Sequence, residues 1–207
     1  MAFGSLTFGL FNDSGLTSAF SGLESIVNLT DLSDNPQSFV LYLGSASSPT
    51  RYLRTTSSPG TNYIILTPTD IAATWVTGTA YSLGNQIEPT VSNGYVYICT
   101  TAGTSGGTQP TWPTSVNSTV TDGATAVWTC YQAKHPTTEI KLSLTSGSGL
   151  TGATAGAALN VAQVVQNGSG NAIPIYFSIA NSCTTVGSNV GYPQLGININ
   201  SVQETAT

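Results

Sequence analysis

The residues best suited to chemistry in this chain are aromatic, and they gather in one stretch. Trp75, Trp112 and Trp128 are the only tryptophans of the 207 residues, and Tyr81, Tyr95 and Tyr97 lie among them. The stretch is rich in Thr and Gly and carries almost no charge. Flat rings in a neutral, polar setting suit stacking on the C–H faces of sugars, where the gain is partly apolar burial and partly ring electrostatics. A binding platform needs two or more such rings exposed together. Trp112 sits in Gln109-Pro110-Thr111-Trp112-Pro113, a loop stiffened by two prolines, where a preorganised ring is expected. Tyr95 and Tyr97 fall on one strand face by the two-residue period. Trp112, Tyr95, Tyr97 and Trp75 are therefore the candidate glycan-binding residues. The same rings have a competing structural use, because a unit of about 60 residues needs large aromatics to have a core at all. Trp75, Tyr81 and Trp128 suit that role. For Trp112, ligand contact, packing on its own domain and contact with another subunit all stay open.

Other chemistries find less support. A glycosidase needs two positioned acids in a cleft, and the aromatic stretch offers Glu88, which precedes Pro89, and Asp122, which precedes Gly123 and reads as a turn residue. The single histidine, His135, stands next to Pro136, and no G-x-S-x-G elbow accompanies it. Asp31, Asp34 and Asn35 offer oxygen ligands, but fewer acids than a calcium loop uses. The Gly-rich segment 147–156 lacks the Lys-Ser/Thr that a phosphate-binding loop requires. The reading is of a protein that is not an enzyme and uses no cofactor or metal. Cys99, Cys130 and Cys183 match no metal-ligand spacing. A disulfide between Cys99 and Cys130 is open to them if their strands pair; two buried free thiols are the alternative, and Cys183 is left over either way.

Charged residues make up 6% of the chain, against roughly 25% in an average soluble domain. The four basic residues, Arg51, Arg54, Lys134 and Lys141, form no run, and the net charge is −5. Such a surface cannot neutralise a phosphate track, so nucleic acid is not an expected partner. No apolar run approaches the length of a membrane-spanning helix, and membrane insertion is not expected. The start, M-A-F-G-S-L-T-F, lacks the basic n-region of a signal peptide. Low charge favours association, so a homo-oligomer is expected, with a trimer among the options.

The elements that must position the aromatics read as strands almost throughout. Apolar or alternating runs mark strands near residues 6–11, 24–28, 39–43, 52–54 and 63–67, and again near 139–145, 159–166, 173–179 and 195–200. Turn residues punctuate them at 12–15, 34–36, 58–60 and 167–170. One short helix is expected over 68–74, and 147–156 reads as a long loop. The fold class is all-β: an antiparallel, immunoglobulin-like β-sandwich with a small inserted β domain. Residues 1–70 and 136–207 form the sandwich, and 71–135 form the insertion, a kind tolerated at exposed loop tips; three domains in series is the alternative.

The inserted stretch resembles the small chitin-binding carbohydrate-binding modules of families five and twelve, through Trp75, Tyr81, Gly84, Ile87, Gly94, Tyr97, Gly103, Pro110 and Trp128. The segment from Thr100 to Trp112 is longer than that pattern. The wording T-A-Y-S-L-G-N, P-T-V-S-N-G-Y, C-T-T-A-G-T-S-G, P-T-W-P and V-T-D-G also resembles a module of tailed-bacteriophage structural proteins. The flanks, from L-T-F-G-L-F-N-D-S-G to Q-E-T-A-T, are similar to phage virion proteins of the decoration or tail-accessory type. The resemblance implies a non-enzymatic virion protein, made in the host cytoplasm, with capsid or tail proteins as partners and a polysaccharide as ligand. A purely structural cement protein and a secreted bacterial polysaccharide-binding protein are the alternatives.

Overall fold

The computed structural model describes residues 6–21, 36–180 and 195–206. The strand expected at 24–28, the turn residues Asp34 and Asn35, Asp31 and Cys183 lie outside the described residues. The described strands before position 71 are β1 (Gly9–Phe11), β2 (Gln37–Gly44), β3 (Arg51–Thr55) and β4 (Ile64–Asp70). In the aromatic stretch come β5 (Ala80–Tyr81), β6 (Gln86–Ile87), β7 (Tyr95–Thr101), β8 (Gly103–Thr104), β9 (Thr119–Asp122) and β10 (Ala126–Ala133). After it come β11 (Ile140–Ser143), β12 (Leu159–Ala162), β13 (Val165–Gln166), β14 (Ile173–Ile179), β15 (Leu195–Ile199) and β16 (Val202–Ala206). The chain divides into two compact units, one of them holding residues 70–136.

The first unit is an antiparallel β-sandwich. Its sheets run β1-β2-β14-β11, β13-β3-β16 and β12-β4-β15, so each sheet joins strands from both sides of the aromatic stretch. The register between β2 and β14 sets Leu43 against Ile173, Leu41 against Ile175 and Phe39 against Phe177. Leu41, Leu43, Ile175 and Phe177 are buried, as are Leu53, Ile64, Leu66 and Val165 from the other sheets. These are the alternate positions of each strand, which point to one face by the pleat. Phe39 and Phe177 stack across the pair with ring centroids 4.9 Å apart.

The second unit is built on the antiparallel sheet β6-β7-β10-β9, with β5 and β8 paired beside it. Trp128 on β10 lies opposite Cys99 on β7 and Val120 on β9, and Cys130 lies opposite Tyr97. Ile87 on β6 also faces Tyr97. Directly opposed residues share a sheet face, so this register gathers Ile87, Tyr97, Cys99, Trp128 and Cys130, with Trp75, into one core. Gly103 allows the close approach of β8, because a Cβ there would meet the Ala126 backbone nitrogen at 2.4 Å.

Three sequence expectations are corrected. No helix forms over 68–74: β4 continues to Asp70, its burial alternating through a buried Pro68. Beyond it Asp70 Oδ1 accepts the Ala72 N–H at 2.9 Å, and Thr74 bridges to Glu88 in parallel. Cross-strand pairing therefore satisfies the backbone that a helix would have satisfied locally. The Gly-rich segment is not all loop, since a four-residue helix, α1 (Ser148–Thr151), follows Gly147 at φ +60°. The run read as one strand over 159–166 breaks into β12 and β13.

Candidate functional site

The aromatic unit is held together by one buried carboxylate. Asp122, at the end of β9, is 1% exposed. Its Oδ2 accepts the indole N–H of Trp75 at 2.7 Å and that of Trp128 at 3.1 Å, and its Oδ1 accepts the Gly106 N–H at 2.8 Å. Three donors on one acid satisfy polar groups that would otherwise be costly to bury. Tyr81 meets Trp128 edge-on at 4.8 Å. Asp122 is thus a core residue and more than the turn residue its Asp-Gly context implies.

This core uses up two of the four candidate glycan-binding residues. Tyr97 is fully buried and Trp75 is 7% exposed, so neither presents a ring face to solvent. Tyr95 is half-buried, packed against the edge of the same core. Trp112 is also half-buried: its ring lies 4.5 Å from Tyr97 and 6.1 Å from Trp128. The two flanking prolines are only part of what holds it. Its indole N–H donates to Gln109 Oε1 at 2.8 Å, Gln109 Oε1 also accepts the Thr90 N–H at 3.2 Å, and Gln109 Nε2 donates to the Thr90 hydroxyl. On the other side of the ring the Tyr97 hydroxyl donates to the Pro113 carbonyl at 2.8 Å and accepts from Asn93 Nδ2 at 2.7 Å. The indole is fixed in plane and position, with its polar atom satisfied and part of its surface in water. Sequence reading missed Gln109, Thr90 and Asn93, because partners 3 to 19 residues apart that meet through a loop leave no periodic trace.

Of the two readings left open for Cys99 and Cys130, the structure carries the buried free thiols. The strands do pair, but the register sets Cys99 against Trp128 and Cys130 against Tyr97. The two cysteines are diagonal neighbours, at a spacing that a disulfide does not easily bridge. Both are free and buried, and burial pushes both thiols above their ordinary range, which keeps them protonated. Cys99 Sγ donates to the Thr101 carbonyl at 3.2 Å.

Charge concentrates where the chain enters and leaves the unit. Lys134 Nζ donates to Glu88 Oε2 at 2.7 Å and to Asp70 Oδ2. Glu88 is 3% exposed, and its Oε1 is buried with no hydrogen-bond partner among the described residues. Burial opposes the Lys134 charge, but the hydrogen bonds and the two carboxylate charges outweigh it and raise its pKa above the ordinary 10.5. A cavity of about 360 Å³ lies between the 71–73 and 84–87 segments, lined by Ile71, Ala73, Gln86 and Val96 among others. Gln86 pairs with Ile98, which puts it on the sheet face opposite Tyr97 and Trp112. Among the described residues no helix is long and apolar enough to cross a membrane.

No family model, curated protein or solved structure matches this chain.

Proposed function

We propose that this is a non-catalytic phage virion protein of the capsid-decoration or tail-accessory type, whose sandwich docks on the particle while the inserted unit adheres to polysaccharide. The observation that carries the adhesive part is Trp112: a half-buried indole with part of its surface in water, fixed by Gln109 and backed by Tyr97, in a unit almost free of charge. A fixed ring stacks on a sugar without losing rotamer freedom on binding. With Tyr97 and Trp75 committed to the core, the contact surface is centred on Trp112, with Tyr95 at its margin. One such site binds weakly, and many copies on one particle or in a homo-oligomer raise the effective concentration. The virion assignment rests on the sequence resemblance and on the charge-poor, all-β character of the chain. The test is retention of the protein on insoluble polysaccharide, with Trp112→Ala in parallel.

A purely structural cement function is the second reading. It is favoured by the exposed apolar side chains of the aromatic unit, Ile71, Val76, Leu83 and Val91, which neighbouring virion proteins would cover. Loss of particle assembly in Trp112→Ala, without loss of glycan retention, would support it.

A further inference from the structure

The chain contains two Asn-Gly pairs, Asn93-Gly94 and Asn167-Gly168. Glycine after asparagine leaves the backbone nitrogen unshielded and flexible, and this nitrogen can attack the asparagine side chain. The Gly nitrogen gives up its proton to solvent base and bonds to Cγ. The Cγ–Nδ2 bond breaks, ammonia leaves, and a succinimide ring forms. Water then opens the ring at one of its two carbonyls, giving aspartate or isoaspartate.

The two pairs stand in opposite surroundings. Asn167 is buried, its Oδ1 accepts the Arg51 N–H at 3.0 Å, and its Nδ2 donates to the Ser47 carbonyl and to that of Pro49 at 3.0 Å. The attacking nitrogen is held as well, since Gly168 N–H donates to the Ser45 carbonyl at 2.7 Å. Cyclisation there must break all four bonds. Gly94 is exposed, at φ +85° with open space around its α-carbon. Among the described residues its N–H makes only a long contact, 3.4 Å, to the Ser92 hydroxyl. The Asn93 side chain is half-buried and holds two bonds, Nδ2 to the Tyr97 hydroxyl and Oδ1 from the Tyr95 N–H at 3.2 Å.

We infer that Asn93-Gly94 is a spontaneous deamidation site whose product loosens the Trp112 loop, while Asn167-Gly168 is protected by the fold. The coupling follows from proton counting. The Tyr97 hydroxyl has one proton, which it gives to Pro113, and it accepts its second bond from the Asn93 amide. A carboxylate at position 93 has no proton to donate. It must either lose the contact or accept the hydrogen bond of the Tyr97 hydroxyl, which releases the Pro113 carbonyl. Either way the anchor behind Trp112 weakens. The inference does not depend on glycan binding.

The test is ageing of the full-length protein in mildly alkaline buffer, read by peptide mapping, beside a denatured sample in which both pairs are equally accessible. In the folded protein, conversion at Asn93 should outrun that at Asn167 by about tenfold or more, from the additional bonds that local opening must break. Exchange of the Trp112 indole N–H, which Gln109 Oε1 holds at 2.8 Å, should be faster in Asn93→Asp than in the unaged parent. Conversion of Asn167 at an equal or greater rate, or an intact Asn93 once the denatured sample has converted, would overturn the assignment. Unchanged exchange of the Trp112 indole N–H in Asn93→Asp would overturn the coupling.

Discussion

Asp122 is the residue on which the aromatic unit depends most. Asp122→Ala leaves two buried indole N–H groups, and the half-buried Gly106 N–H, without their acceptor. Each orphaned donor costs about 1–3 kcal/mol, so the loss should reach about 3 kcal/mol or more. That is comparable to the stability of an isolated unit of this size. Hydrogen exchange across 75–130 should show the unit opening; protection equal to the parent would mean the indoles are held by packing alone. Trp112 stands at the other extreme. Being half-buried, it should cost about 1–2 kcal/mol when truncated to Ala, a change small enough to leave the fold for binding assays. Tyr97→Phe keeps the buried ring and removes only the Asn93 and Pro113 bonds. It should cost about 1 kcal/mol and accelerate exchange of the Trp112 indole N–H. The aromatics were legible in the sequence as a group, and so was the core use of Trp75 and Trp128, but the burial of Tyr97 was not. Tyr95 and Tyr97 alternate onto one strand face as expected, yet Tyr97 lies under Trp112 while Tyr95 lies at the margin of the core. That difference comes from a loop more than ten residues away, which strand periodicity cannot register.

Among the elements, the strands were the legible part, because alternating burial writes itself directly into residue type. The run 173–179 reads as a strand and is one, while β16 had no apolar alternation to announce it in Val202–Ala206. The expected helix over 68–74 failed because intrinsic propensity, even that of alanine, is small beside tertiary pairing, and pairing with Glu88 overrides it. The turn after β9 is a sharper test of geometry. Gly123 has φ +63°, and a Cβ there would meet the Thr104 carbonyl oxygen at 2.5 Å. Gly123→Ala combines a left-handed backbone with a backbone clash, and should destabilise the unit by about 2 kcal/mol or more in denaturant melts. The charged neck predicts a pH response. The pKa of Lys134 is raised in the folded state, so its contribution to stability is fully present below pH 10.5. It is lost as pH rises through the higher folded value. The unit should therefore lose stability on the alkaline side, and Lys134→Met should flatten that part of the profile. A parent profile identical to that of the variant above pH 10.5 would show that the Glu88 and Asp70 contacts contribute nothing.

At the scale of the whole molecule, a charge content of 6% and a net charge of −5 leave polar, uncharged residues to keep the chain in solution. They also leave little electrostatic steering for any partner. The adhesion proposed above would then come from short-range stacking repeated over many copies, and avidity becomes the quantity to measure. The most direct measurement is retention of the multivalent protein on chitin, cellulose and host-cell polysaccharide, with Trp112→Ala beside it and its fold checked by exchange. Adhesion through Trp112 predicts retention on at least one of these, lost in the variant while the fold persists. No retention on any of them, or retention that survives Trp112→Ala, would contradict it.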